Sequence, residues 1–293
     1  MTVSVLFLGN SHVAALRRGW AQIAAEFSDW DIQFFAANST LFNKMTLDDN
    51  RVFGAHETTG ASPGDPAQLS AAEGAQNANQ QDSPQTEQET RYSKHELKFL
   101  DQVFGRHLVD LKSFDHVVLV GPNTNEVDFL RQFEPYSIDG IREDSTRSCL
   151  SQSAFAAFCT AIAAKRLPEQ AWHNWATPRI SVLPSPVPRA DCPEATPRYS
   201  VWARYGADPL TGLSFLKAYR SHVAALYRAH GISLLSPPDA VYDESGLTRP
   251  EFGDEPTRLH PRAGVFEEND FHHMSPEYGK TVLRHVLEQL AQD

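Results

Sequence analysis

A serine near the start of the chain follows a short apolar run and precedes an amphipathic pattern with helical spacing. The apolar run Val3–Leu8 is followed by Gly9, Asn10 and Ser11 and then by the helical pattern. This order predicts a buried strand, a tight turn and a helix. At the first turn of a helix, unpaired backbone N–H groups and the helix dipole stabilise an anion that forms there. Ser11 is therefore a candidate nucleophile, and the alternative at this position is an ordinary helix N-cap.

A carboxylate and a histidine lie close together near the other end of the sequence. Asp270 and His273 are separated by two residues, and a helical pattern begins at Pro276. A carboxylate can hold one ring nitrogen of a histidine, so that the other nitrogen is free to take a proton from a serine. His273 is preferred to His272 as this base because of its offset from Asp270, and an exchange of the two histidines is the alternative.

A strand in the middle of the chain supplies a third group. The apolar run His116–Val120 is followed by Gly121 and, two residues later, by Asn123. An asparagine amide placed after a strand end is a neutral hydrogen-bond donor for an oxyanion. The side chain of Asn123 and the N–H of Ser11 are therefore predicted to meet the negative charge of a tetrahedral intermediate.

Together these segments resemble the motifs of the SGNH (GDSL-like) hydrolase superfamily. Its members have a serine in a Gly-Asp/Asn-Ser motif, an asparagine in a Gly-x-Asn motif, and an Asp-x-x-His motif before the last helix. The matching residues here are 9–11, 121–123 and 270–273, so the resemblance spans the whole chain. It implies a flavodoxin-like fold, an acyl-enzyme, and catalytic roles for Ser11, Asn123, Asp270 and His273.

The second predicted strand departs from the family. Members have a glycine after this strand whose N–H lines the oxyanion hole, but here Asp31–Ala36 is followed by Ala37, and no glycine occurs before Gly54. A backbone N–H needs no glycine, so a donor from residues 37–40 is expected instead. The residues expected to line the site are Gly9, Asn10, Asn38 and Gly121, while His12 is expected to cap the first helix or face solvent.

Apolar runs alternate with helical patterns along most of the chain. The predicted strands are Val3–Leu8, Asp31–Ala36, Asp115–Val120, Arg179–Leu183 and Gly231–Leu235, and the predicted helices are Ser11–Phe27, Ser93–Leu108, Gln152–Arg166, Gly212–His230 and Pro276–Ala291. Continuously apolar strands between helices are typical of a parallel sheet covered on both faces. We expect a three-layer α/β/α sandwich with a five-stranded, mostly parallel sheet and the candidate residues at its carboxyl edge.

The whole chain is predicted to form one domain with three irregular regions. Residues 60–90 are rich in Ala, Gln, Glu and Ser and contain no aromatic residue, which predicts a disordered or solvated insertion, with a functional lid as the alternative. The insertion 125–151 is expected to shape the acyl or leaving-group pocket. The insertion 184–209 contains Trp202 and Tyr205, which either anchor it on the core or stack on a sugar ring.

The composition of the chain argues against several classes of binding partner. The 293 residues carry a formal net charge of -11, which argues against nucleic acid and against an anionic membrane surface. Three cysteines and twelve histidines show neither disulfide nor metal-ligand spacing, and no nucleotide motif is present. We expect no metal and no cofactor. The absence of a signal peptide or a long apolar stretch predicts a cytoplasmic location.

These features favour a serine ester hydrolase that works through an acyl-enzyme. The expected substrate is a small or medium polar ester, with O-acetylated carbohydrates among the candidates. An O-acyltransferase of the same fold shares the nucleophile and is one alternative. A binding protein that retains the fold without catalysis is the other. Chain length of the acyl group, the alcohol and the oligomeric state are not encoded in any motif.

Overall fold

The computed structural model describes residues 2–56, 92–208, 212–259 and 270–292, so the predicted insertion at about 60–90 lies outside the described residues. In chain order the strands are β1 (Val3–Gly9), β2 (Trp30–Ala36), β3 (Thr46–Leu47), β4 (Val52–Gly54), β5 (Leu108–Asp110), β6 (His116–Val120), β7 (Tyr136–Ile138), β8 (Ser148–Leu150), β9 (Arg179–Leu183) and β10 (Ile232–Leu234). The helices are α1 (Val13–Ile23), α2 (Ser39–Phe42), α3 (Lys94–Phe104), α4 (Glu126–Phe133), α5 (Gln152–Ala164), α6 (Ser200–Ala207), α7 (Gly212–Arg228) and α8 (Pro276–Leu290).

A five-stranded parallel sheet forms the centre of the structure. Its strand order is β10-β9-β6-β1-β2, and every neighbouring pair is parallel. Numbered among themselves, these strands run 2-1-3-4-5, the order of flavodoxin-like folds. The four residues Val5–Leu8 of β1 have no exposed surface, as expected for a strand buried on both faces. The predicted fold class is confirmed.

Helices cover both faces of this sheet. The chain moves in one direction along the sheet from β1 to β2 through α1, and in the other direction from β6 to β9 and β10 through α5 and α7. Because such crossovers are right-handed, α1 lies on one face and α5 and α7 lie on the opposite face. The last helix, α8, packs against α1, which completes the three layers.

The backbones of α1 and α8 approach each other closely at two glycines. A Cβ atom on Gly19 would overlap the backbone of α8, and one on Gly279 would overlap a carbonyl group of α1. Any larger side chain at either position would therefore push the two helices apart. Since α1 follows Ser11 and α8 follows His273, this contact fixes the separation of the two segments that carry the candidate nucleophile and base.

Two of the predicted irregular regions contain regular structure. The insertion 125–151 forms the helix α4 and the parallel pair of strands β7 and β8, and the insertion 184–209 contains the helix α6. These elements have three to eight residues, too few to show a helical or alternating period clearly. The small antiparallel sheet β3-β4-β5 is missed by the sequence for the same reason.

Candidate active site

Ser11 lies in the turn between β1 and α1, at the carboxyl edge of the sheet. The N–H of Val13 donates to the carbonyl of Asn10 at 3.1 Å, and the N–H of Ala14 donates to the carbonyl of Ser11 at 3.1 Å, which leads the turn into the helix. No side chain caps α1, so the N-cap alternative for Ser11 is wrong. Within the described residues, the N–H of Ser11 has no hydrogen-bond acceptor.

The hydroxyl of Ser11 contacts His273, which lies 262 positions later in the chain. The Oγ of Ser11 is 2.8 Å from Nε2 of His273, and Nδ1 of the same ring is 2.5 Å from Oδ2 of Asp270. An ionised carboxylate accepts only, so Nδ1 carries the proton and Nε2 accepts the hydroxyl hydrogen. The structure thus places Ser11, His273 and Asp270 in one continuous line, all three half-buried.

The carboxylate of Asp270 is held in its ionised form. Burial alone would raise its pKa, but the hydrogen bond from the His273 ring and the backbone N–H groups of His272 and His273, at 3.0 and 3.1 Å from Oδ1, lower the pKa below its ordinary value. Four lone-pair positions shared among three donors leave this side chain little freedom to rotate. Asp270 is therefore a fixed negative charge that orients His273.

Asn10 connects the turn of Ser11 to the end of β6. Its Nδ2 donates to the carbonyl of Gly121 at 3.0 Å, and its Oδ1 accepts the N–H of His12 at 3.1 Å. Gly121 has a φ of 88°, and a Cβ at this position would overlap the Asn10 side chain. Gly9 likewise has no room for a Cβ beside the carbonyl of Val120. These predicted site residues therefore bring the two strand ends together.

Asn123 lies just beyond this contact and is exposed. Its Oδ1 accepts the backbone N–H of Asn125 at 2.8 Å. This bond fixes the carbonyl end of the side-chain amide, and its NH₂ group has no hydrogen-bond acceptor among the described residues. Two hydrogen bonds hold the rest of this loop. The hydroxyl of Tyr219 donates to the carbonyl of Thr124 at 2.5 Å, and Nε of Arg166 donates to Oδ1 of Asn125 at 3.0 Å.

The segment after β2 supplies further N–H groups at the same edge. The N–H of Ala37 donates to the carbonyl of Gly9 at 3.1 Å, which extends the pairing of β1 and β2 by one residue. This bond uses the donor of Ala37. Asn38 then caps α2, its side chain accepting the N–H of Leu41 at 2.8 Å. Among the described residues, the N–H of Asn38 has no acceptor.

Two further histidines pack around His273. The ring of His12 stacks on that of His273 with centroids 5.2 Å apart, and Nδ1 of His12 is buried without a partner. His12 is at the N-cap position of α1, as predicted, but its side chain makes no capping bond, and the residue is only partly exposed. The ring of His272 packs on Tyr199 at 5.1 Å. His272 does not contact Ser11, so the structure favours His273 over the alternative.

Burial keeps these two neighbouring rings neutral. It lowers the pKa of His12 well below its ordinary value, and the charges of His273 and His272 act in the same direction. Burial also lowers the pKa of His272, to about 3, with a second contribution from the positive charge of Arg198. Only one of the three clustered imidazoles is therefore placed to exchange a proton with Ser11.

The loop of Asp270 is braced by residues that the sequence analysis missed. The hydroxyl of Tyr199 accepts the N–H of Phe271 at 3.1 Å, and the N–H of Arg189 donates to the carbonyl of Phe271 at 3.0 Å. The guanidinium of Arg189 also lies 4.9 Å from the centre of the Phe271 ring. Both braces come from the region 184–209, where a lone tyrosine or arginine among prolines carries no sequence signal.

The two insertions form a cavity of about 410 Å³ between α4, α6 and the start of α7. Its lining among the described residues includes Leu130, Arg142 and Tyr205 but not Ser11, Asn123, Asp270 or His273. A role of 125–151 in shaping the acyl pocket therefore has no support from this cavity. Trp202 and Tyr205 are buried, in agreement with their interpretation as anchors.

The part of the chain that the structure describes contains no group of three or more His, Cys, Asp or Glu side chains arranged to hold a metal ion. Within the same residues, no helix has the length and apolar character needed to cross a membrane. The candidate site consists of the side chains of Ser11, His273 and Asp270, which contact one another.

Comparison with known proteins gives a distant likeness. No protein-family model matches the chain, and no curated protein matches it. Among solved structures, the periplasmic domain of a lipopolysaccharide acetyltransferase from Salmonella ser. Paratyphi A is similar, with 13% sequence identity and a TM-score of 0.39. The match covers 99% of this chain and 84% of that chain.

This comparison contradicts the prediction of a cytoplasmic location, because the matched chain is a periplasmic domain. The prediction rested on the missing sequence signals for export and is withdrawn.

Proposed function

We propose that this protein is a serine ester hydrolase that acts through an acyl-enzyme on a small or medium polar ester. The observation that carries the proposal is the continuous contact from Asp270 through His273 to the hydroxyl of Ser11. A free serine hydroxyl is a weak nucleophile and needs a base within hydrogen-bond reach. The 2.8 Å separation of Oγ and Nε2 meets this requirement.

In the first step, Oγ of Ser11 attacks the ester carbonyl while Nε2 of His273 takes its proton. Asp270 stabilises the positive charge that forms on the imidazole and does not itself become protonated. The tetrahedral intermediate collapses when the imidazolium returns this proton to the leaving alcohol. The alcohol departs, and the acyl group stays on Ser11 as an ester.

The oxyanion of that intermediate is met by three donors at the same sheet edge. These are the N–H of Ser11, the side-chain NH₂ of Asn123 and the N–H of Asn38. The first and last have no acceptor within the described residues, and the Asn123 amide is oriented by its bond to Asn125. Each donor of this kind typically contributes about 2.7–4 kcal/mol to transition-state stabilisation.

In the second step, His273 takes a proton from water, which attacks the acyl-enzyme and releases the acid. An O-acyltransferase uses the same acyl-enzyme but replaces water with an acceptor hydroxyl. Hydrolysis and transfer therefore differ only in the second nucleophile. The net charge of -11 favours a neutral polar ester, such as an O-acetylated carbohydrate, over a polyanion.

A fluorophosphonate probe tests the nucleophile directly. We expect one covalent adduct on Ser11, located by peptide mass spectrometry, and none in the Ser11→Ala variant. Ser185 is a matched control within the same protein, because it also follows a central strand but its Oγ donates to the carbonyl of Gly121 at 2.6 Å. It should carry no adduct.

The same protein would next be given O-acetylated sugars and nitrophenyl acetate, with and without an added acceptor alcohol. Acid release supports hydrolysis, whereas acylated acceptor formed at its expense supports the transferase. A folded wild-type protein that takes up no probe and turns over no ester contradicts the proposal and favours the non-catalytic binding protein.

A further inference from the structure

The ring of His12 faces that of His273. The ring centroids are 5.2 Å apart and the ring planes differ by 26°, so the rings are stacked with an offset. His12 directly follows Ser11, and its N–H is held at 3.1 Å by Oδ1 of Asn10. The position of this ring is therefore set by the same turn that presents the nucleophile.

Packing alone does not explain a histidine at position 12, because an apolar ring would be more stable there. Its Nδ1 is buried and has no hydrogen-bond partner within the described residues. A buried polar atom without a partner lowers stability relative to an apolar ring of similar shape. Although His12 is at the N-cap position of α1, its side chain makes no capping bond there. A flat side chain with these costs points to a role in the site.

We propose that His12 is a positioning residue whose flat ring face holds the plane of the His273 imidazole, so that Nε2 stays aligned with Oγ of Ser11. The inference rests on the proposed function. His273 is held at Nδ1 by Asp270 and at Nε2 by Ser11, and bonds that lie in the plane of a ring allow it to tilt about the line that joins them. The His12 face removes this freedom.

The electronic character of the ring supports the same role. Burial lowers the pKa of His12 well below its ordinary value, so the ring stays neutral while His273 gains a proton during the reaction. A neutral aromatic face is attracted to a cation within about 6 Å, whereas a second imidazolium would repel it. His12 therefore fits both the free base and the protonated form of His273.

Three substitutions of His12 distinguish the contributions of its flat ring face, its volume and its ring nitrogen atoms. His12→Phe keeps a flat face, His12→Leu fills space without one, and His12→Ala removes both. We expect Leu and Ala to lower kcat by about tenfold to 100-fold with little change in KM, because a misaligned base slows the chemical step. His12→Phe should retain most of the wild-type kcat and unfold at the same or a higher temperature.

A distant histidine pair provides the matched control. His173 and His230 have ring centroids 4.7 Å apart, and His230 lies two residues before β10, at the amino edge of the sheet. His230→Ala removes a ring from a similar pair and should leave kcat unchanged. Equal kcat in wild type and His12→Ala overturns the proposal. A folded His12→Phe variant as slow as His12→Ala overturns it too, because the nitrogen atoms would then be required.

A spectroscopic readout keeps this test separate from the proposed function. The short Nδ1–H bond of His273 to Asp270 should give a far-downfield proton resonance, absent in Asp270→Ala. We expect it to broaden or move upfield in His12→Ala and His12→Leu and to persist in His12→Phe. Failure of the wild type to bind fluorophosphonate would contradict the hydrolase, whereas an unchanged resonance in His12→Ala would contradict the role of His12.

Discussion

At the scale of single residues, the two adjacent histidines should differ sharply. His273 contacts both Ser11 and Asp270, while His272 packs on Tyr199. We expect His273→Ala to lower kcat by about 10³-fold or more, as Ser11→Ala should, since both remove the activated nucleophile. His272→Ala should lower kcat only slightly. Steady-state kinetics on one ester substrate measures all three, and the reverse order of the histidines would show that the base is misassigned.

Asn123 allows a separate test of the oxyanion site. Asn123→Ala removes the side-chain donor, and we expect kcat to fall by about 10²–10³-fold with KM nearly unchanged, because the bond strengthens only as negative charge develops. Asn123→Asp keeps the size and the acceptor for the Asn125 N–H but replaces the NH₂ with an oxygen. It should be at least as slow as Asn123→Ala. A fast Asn123→Asp variant would exclude the amide as a donor.

At the scale of elements, the contact of α1 with α8 sets the geometry of the site. Gly279→Ala places a Cβ against a carbonyl of α1, and the helices must separate to admit it. We expect destabilisation of about 1–3 kcal/mol, as for other overpacked contacts, and a lower kcat. Denaturant titration measures the change in stability, and steady-state kinetics measures the change in kcat. The exposed α8 residue Glu277, replaced by Ala, is the control that should change neither quantity appreciably.

The loop of Asn123 depends on a buried ion pair between α4 and α7. Nε of Arg220 donates to Glu126 at 2.8 Å and its Nη1 to the Tyr242 hydroxyl at 2.7 Å. Glu126→Gln leaves the guanidinium without a buried counter-charge, and we expect a loss of about 3–5 kcal/mol. The double variant Glu126→Leu with Arg220→Met should lose less. Equal losses in chemical denaturation would contradict this account.

The long helices and the apolar strands of the central sheet were predictable from the sequence, and the short elements of the insertions and of the small antiparallel sheet were not. The five long helices and the five central strands show clear periodicity, and Ser11, Asp270 and His273 follow from their position at element ends. His12, Tyr199 and Arg189 were missed or misjudged because their roles depend on contacts between residues far apart in the chain. A stacked ring or a brace to a distant carbonyl leaves no local pattern of residue types.

At the scale of the whole molecule, buried neutral histidines make stability depend on pH. Burial lowers the pKa of His272 from 6.5 to about 3 and lowers that of His12 as well. Below about pH 6.5 the unfolded chain therefore binds protons that the folded chain does not, so stability falls as the pH drops from 6.5 towards 3. The lowered pKa of Asp270 acts in the same direction at still lower pH.

His272→Phe should flatten this decline. Each such histidine contributes at most about 1.4 kcal/mol per pH unit to the slope. Denaturant titrations at pH 7, 6 and 5 would show a smaller loss of unfolding free energy in the variant than in wild type. Parallel pH dependence in the two proteins would mean that the His272 ring is protonated in the folded state.

The nucleophile and its base are separated by 262 positions in the chain, and this spacing makes the site a reporter of the folded state. A chain still being synthesised has Ser11 exposed long before His273 exists, so it carries no reactive serine that a premature ester could trap. Contacts of such sequence separation form late when loops must close first. Covalent labelling of Ser11 would therefore count the molecules whose long-range folding is complete, which gives a direct assay of refolding yield.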